Sequence, residues 1–256
     1  MKQLIILLLV AITGQKLLAQ NAHFTTSGTI EFDRTINMYA IIKKEINKDN
    51  EAFMQPIFEA YQKAKPQFRT QKSVLTFTGS KALFTPLPDE STANSDFGDN
   101  PNSQQNNTIF TDITTGISAT QKTVFEELFL VKDSVRKINW KITDETRDIA
   151  GYTCRRANAI VMDSIYVVAF YSDEIPLSVG PESFTGLPGM ILGLALPHDN
   201  IKWFATKVTD MTIPDNKVIA PKKGKLVNNK QLRAKLDEAM TDWGDEGKEY
   251  LKMLLL

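Results

Sequence analysis

The residues able to do chemistry are few and scattered. The two histidines are His23 and His198. Neither has a second His or Cys at the spacing a zinc site uses. No metal site is therefore assigned, and Pro197-His198-Asp199-Asn200 reads as a solvated turn. Cys154 is the single cysteine. Alone it forms no internal disulfide. Its strand-like surroundings favour a small buried side chain over a reactive thiol or an intermolecular bridge. A Cys154–His198 pair would need the fold to assemble it and a third group to orient the histidine. No Gly-x-Ser-x-Gly elbow is present. Glu126-Glu127 and Asp144-Glu145 are adjacent carboxylates, and neighbours on a strand point to opposite faces. No catalytic residue and no cofactor is assigned.

One group of residues points to binding. Tyr152, Tyr166, Phe170, Tyr171, Phe184, Trp203 and Phe204 concentrate in the second half. Aromatic side chains favour strands and interiors, so packing is one role for them. An apolar cleft in a curled sheet is the other, with Tyr152, Tyr171, Phe184 and Trp203 as the candidate ligand- or partner-binding residues.

The elements that must position these groups read mainly as strands. Ile30, Phe32, Ile36, Met38, Ala40 and Ile42 alternate, interrupted by Arg34, as in a long strand with one buried face. Asn47 to Asn50 offers a cap for a helix through Phe53, Ile57 and Ala64, which Pro56 disturbs. Strands follow near 68–78 and 81–85. The stretch 86–107 is rich in Pro, Asp, Asn, Ser and Gln and predicts a mobile loop. From Thr108 the strand signal persists to Thr209. It includes a central strand running through residues 123–131 and a β-bulge at Arg155-Arg156, where the apolar parity changes. Leu232, Leu236, Ala239, Met240 and Trp243 form a helical stripe, with Asn229 as its cap and Gly244 as its end.

The chain holds 256 residues with 30 bases and 30 acids, a balance that gives no footprint for nucleic acid or an anionic membrane. Residues 1–19 read as a secretory signal peptide, with Lys2 as the basic start, Leu4 to Ile12 as the apolar run and Leu17-Leu18-Ala19 as the cleavage site. No cysteine follows it, so lipidation is not expected. No later segment is apolar enough to span a bilayer as a helix.

Gly186-Leu187-Pro188-Gly189 predicts a type II turn, with Pro188 at i+1 and Gly189 supplying positive φ at i+2, feeding the apolar strand Met190 to Leu196. With Met190-Ile191-Leu192, this run resembles the motif that names the GLPGLI family of exported bacterial proteins. The resemblance extends over Ile138 to Ile142, Ile149 to Ala157, Ala169 to Pro176, Gly180-Pro181 and Phe184 to Leu192, roughly residues 123–210. Met190 stands where the motif carries Leu, a swap that conserves volume. The resemblance implies export, a β-rich fold and an unassigned function. It also implies a role beside TonB-dependent outer-membrane receptor machinery. The strand order is similar to half-barrel lipoprotein carriers as well, by architectural analogy.

Residues 20–256 are therefore expected to form a single domain, mainly β (α+β). One strongly curved antiparallel sheet, half-barrel-like, would carry an inserted N-terminal helix and a C-terminal helix. The expected function is a non-catalytic exported protein of the periplasm or outer envelope, binding a partner protein or a lipid-like or peptide ligand. The alternatives are a hydrolase with a tertiary site and a purely structural envelope protein.

Overall fold

A computed structural model describes residues 24–88 and 107–256, apart from the side chains of residues 245 and 246. The expected signal peptide and all but the ends of the polar 86–107 loop lie outside the described residues. The strands are β1 (Ser27–Asn37), β2 (Phe68–Thr78), β3 (Lys81–Pro86), β4 (Thr108–Asp112), β5 (Ile117–Val124), β6 (Glu127–Ser134), β7 (Lys141–Ile149), β8 (Tyr152–Val161), β9 (Ile165–Ser172), β10 (Met190–Leu196), β11 (Ile201–Asp210) and β12 (Lys225–Val227). Helices α1 (Met38–Glu45) and α2 (Glu51–Ala64) lie between β1 and β2, and α3 (Asn229–Ala239) and α4 (Gly244–Leu255) follow β12. All twelve strands join one open sheet in the order β12-β6-β5-β4-β3-β2-β1-β11-β10-β9-β8-β7. Every pairing is antiparallel except β12 with β6. The fold is mainly β, a curved sheet with flanking helices, as the alternation of side chains leads one to expect.

The connection from β6 to β7 requires the curl. In sheet order these strands stand ten places apart, which in a flat sheet is roughly 48 Å at about 4.8 Å per strand. Only residues 135–140 join them, and a fully extended link of that length spans about 25 Å. The sheet must bend until its two ends approach each other. One end finishes with the three-residue β12. The other finishes with β7, whose Asp144, Glu145, Arg147 and Asp148 are exposed; charges of this kind discourage further strand addition.

Residues on the buried face of the sheet form one core with the segment between β9 and β10. Ile30, Phe32 and Ile36 of β1, Leu75 and Phe77 of β2, Phe84 of β3 and Leu194 of β10 pack in the same cluster as Ile175, Leu177, Val179, Phe184 and Leu187. An irregular loop thus supplies much of the trough's filling, with Met38 and Ile41 of α1 in the same cluster. A second cluster joins Val124, Phe129 and Val131 to Leu232 and Leu236 of α3, with Tyr250, Leu251, Leu254 and Leu255 of α4 packed on it.

Several local expectations are corrected. The alternation through Ile42 does not continue as strand. Asn37 accepts from the Ala40 amide at 3.2 Å and starts α1, which buries Met38, Ile41 and Ile42 at helical spacing. Residues 123–131 form two strands, because Phe125 (φ 48°) and Glu126 (φ 66°) make a two-residue hairpin turn without glycine. The bulge lies across from Arg155-Arg156, on β7 between Ile142 and Thr146. There Asp144 and Glu145 pair with Arg155 and Arg156 at 3.8 and 2.5 Å. Asn228 rather than Asn229 caps α3, through a reciprocal box with Gln231. Gly244 opens α4 instead of ending α3.

Candidate functional site

The polar end of the trough is built from residues that break the apolar pattern. Arg34 faces inward on β1, directly between Gln71 of β2 and Trp203 of β11 in the strand register. Its Nη1 donates to Gln71 Oε1 at 2.5 Å, and its guanidinium carbon lies 5.2 Å from the centre of the Trp203 ring. Trp203 Nε1 and the nearby Ser73 Oγ are buried with no hydrogen-bond partner among the described residues.

Glu182 enters from the trough-filling loop in a left-handed conformation (φ 52°) and is buried. Asn107 Nδ2 donates to its carboxylate at 2.9 Å. Burial raises the Glu182 carboxyl above the usual range, against the opposing effects of Asn107, Arg34 and Lys122. Burial also pushes the Arg34 guanidinium down to about 10, with Glu182 opposing. The Lys122 ammonium is pushed by burial down to about 8, again with Glu182 opposing and Arg136 adding to the depression. Burial lowers Arg136 too. Two buried cations, Arg34 and Lys122, thus act on one buried carboxylate, and the half-buried Arg136 acts on Lys122.

The last turn of α4 closes this end. The final carbonyls of a helix lack partners within it. Here Lys122 Nζ donates to the Leu254 carbonyl at 2.6 Å, Arg136 Nη2 to Leu255 at 2.7 Å and Ser183 Oγ to Leu256 at 2.9 Å. The negative end of the helix dipole suits both cations. Between this turn and the sheet lies a cleft of about 40 Å³, room for a few water-sized groups. Ser118, Thr120 and Ser183 and the cations Lys122 and Arg136 line it, together with the apolar Val131, Leu232 and Leu255. Asp133 at its rim is held below the usual carboxylate range by the backbone amides of Asn229 and Ser134.

The Gly186–Gly189 run serves the loop that carries Glu182. Trp140 Nε1 donates to the Thr185 carbonyl at 2.8 Å and lies over Gly186 (φ 96°), while Thr185 Oγ1 donates to the Arg136 carbonyl at 3.1 Å. These bonds tie the β6–β7 connection to the trough filling. Leu187 is core. The expected type II turn is replaced by a tighter one centred on Pro188, with the Gly189 amide donating to the Leu187 carbonyl at 2.8 Å. Glycine is required at 189 for close approach, since a Cβ there would stand 2.1 Å from the Ser172 carbonyl oxygen.

Tyr171, Phe184 and Trp203 are core residues, at most 3% exposed. Tyr152 is half-buried and shares a hydrogen bond of 3.2 Å with Thr25 Oγ1. Of the four aromatic candidates, Trp203 reaches the polar cluster. Cys154 is buried, its thiol pushed by burial up to about 12, and it donates to the Tyr152 carbonyl at 3.5 Å. His198 meets Tyr166 edge-on at 6.2 Å. Among the described residues no group of three or more His, Cys, Asp or Glu is placed to hold a metal ion, and no helix is long and apolar enough to cross a membrane. Lys122, Arg136 and Glu182 were not singled out by the sequence. Arg34 carried a legible signal, a charge at an inward position of an alternating strand.

No curated protein matches the chain. The chain is similar to two solved structures described as PNGF-II. The first, in space group C2, has a TM-score of 0.52 and 12% identity over 81% of this chain and 32% of that one. The second, in space group P21, has a TM-score of 0.47 and 15% identity over 79% of this chain and 32% of that one. The chain therefore spans about a third of the length of those structures, and the first likeness supports the fold alone. A family described as "Protein of unknown function (Porph_ging)" matches residues 159–193, the segment that includes β9, the trough-filling loop with Glu182, and the Gly186–Gly189 run.

Proposed function

We propose that the chain is an exported, non-catalytic binding module of the cell envelope, of the kind the GLPGLI resemblance implies. The polar end of its trough is the place where it holds a ligand. The observation that carries this reading is the cleft between α4 and the sheet. Its lining combines apolar Val131, Leu232 and Leu255 with the cations Lys122 and Arg136. Such a mixed lining suits an amphipathic small molecule better than a wholly apolar one. Outer-membrane receptor machinery is the setting the resemblance suggests for the module, and nothing in the reading requires turnover.

The test is a titration of the purified chain with dansyl-labelled undecanoate and with its methyl ester, read by fluorescence. Saturable binding of either, weakened by Val131→Glu in a variant whose circular dichroism is unchanged, supports the reading. Absence of saturable binding of both probes to the folded chain refutes it.

A further inference from the structure

Resting on that binding reading, we propose that the ligand carries an oxyanion head received by Lys122 and Arg136, and that the last turn of α4 occupies this position until the ligand displaces it. Three observations converge. The first is charge. Lys122, buried on β5, and the half-buried Arg136 both line the cleft, and Asp133 is the one acidic side chain in its lining. Cations withdrawn from water are expensive unless an anion or equivalent oxygens meet them.

The second is unused donor capacity. A lysine ammonium has three donors and an arginine guanidinium has five. Among the described residues each side chain makes one hydrogen bond, Lys122 to Leu254 and Arg136 to Leu255. Both side chains line the cleft of about 40 Å³ together with Ser118, Thr120 and Ser183. The planar guanidinium fork matches a carboxylate or phosphate group in two-point contact.

The third is what now fills the position. Tyr250, Leu251, Leu254 and Leu255 pack on the apolar cluster of β5, β6 and α3, and the same turn ends in acceptor carbonyls on the cations. This turn presents an apolar body tipped with oxygens, the shape of an anionic amphiphile. Carbonyl oxygens are neutral acceptors, and an ionised oxyanion makes shorter and stronger bonds to the same donors. An acyl or alkyl chain would take the apolar surface that α4 leaves.

The experiment compares dansyl undecanoate with its methyl ester on the full chain, with an alkyl phosphate as competitor to separate carboxylate from phosphate ligands. The acid is expected to bind at least about tenfold more tightly than the ester, a preference that Lys122→Met and Arg136→Met each reduce. Hydrogen exchange across Gly247–Leu255 is expected to quicken with the acid and not with the ester. Equal binding of acid and ester to the unaltered chain overturns the inference and leaves the binding reading standing. Failure of both probes to bind overturns both. Tight acid binding with α4 protection unchanged or increased overturns the displacement. The unaltered chain supplies these comparisons even if a variant does not fold.

Discussion

Replacing Lys122 with methionine tests whether a buried ammonium shapes the stability of this sheet. Lys122 is buried on β5, faced by Glu182 from the trough-filling loop and Arg136 from the β6–β7 connection. Arg34 is coupled to the same carboxylate, and Asp133 lies at the rim of the same cleft. Burial moves the ammonium from 10.5 down to about 8. The sign follows from proton counting. Between those two values the unfolded chain holds more protons than the folded one, so stability rises with pH in that window. The penalty of the buried charge is fully present below about pH 8 and is relieved as pH climbs toward 10.5. Integrated from about pH 7 to about pH 9, the relief is roughly 1–2 kcal/mol.

Urea unfolding of the unaltered chain and of Lys122→Met at both pH values measures it. The unaltered chain gains that amount relative to the variant on going to the higher pH, because titration at distant sites cancels in the difference. A stability difference between the two proteins that stays constant across the interval refutes the assignment of a buried, charge-penalised lysine. A difference that moves in the opposite direction would mean that Glu182 overrides burial at this position.

Three further outcomes follow from the geometry. Gly189→Ala drives a Cβ against the Ser172 carbonyl, which is backbone and cannot swing away; thermal melting should show a loss well above about 1 kcal/mol. The Cys154 thiol, buried and pushed up to about 12, should resist a thiol-labelling reagent in the native protein and react in urea, and prompt native labelling would contradict its placement. Glu126→Gly relieves a positive φ of 66° in the β5–β6 hairpin and should raise stability by about 0.5–1 kcal/mol in chemical unfolding.

Much of the sheet was legible because alternation is a local property. Ile30, Phe32 and Ile36 announce the face they bury, and Met190 to Leu196 reads as a strand buried on both faces. What alternation cannot convey is where one element gives way to another of similar composition. Met38, Ile41 and Ile42 satisfy a strand at one end and a helix overall, and the Asn37 cap decides between them. Phe125-Glu126 lacks the glycine or asparagine that marks a two-residue turn, so the β5–β6 hairpin passed for one strand.

The site was less visible for a different reason. Arg34, Lys122, Arg136 and Glu182 are far apart in sequence, and the curl and the trough-filling loop bring them together. The aromatic residues chosen as binding candidates follow composition, and composition does not separate a cleft from a core. Gly189 was recognised as indispensable, although close contact with Ser172 rather than turn type is what demands it.

The position of β1 has a consequence for how the polypeptide can be handled while it is still being made. One side of this strand is satisfied early, by β2, only a few dozen residues downstream. Its other side waits for β11, with Gly28 meeting Asp210 and Ile36 meeting Ile201. Until synthesis passes that point, the middle of the eventual sheet is an unpaired margin rich in Ile and Phe. That is the type of surface that invites pairing with a stranger. A nascent chain of this topology keeps that margin open until residues 201–210 have been made.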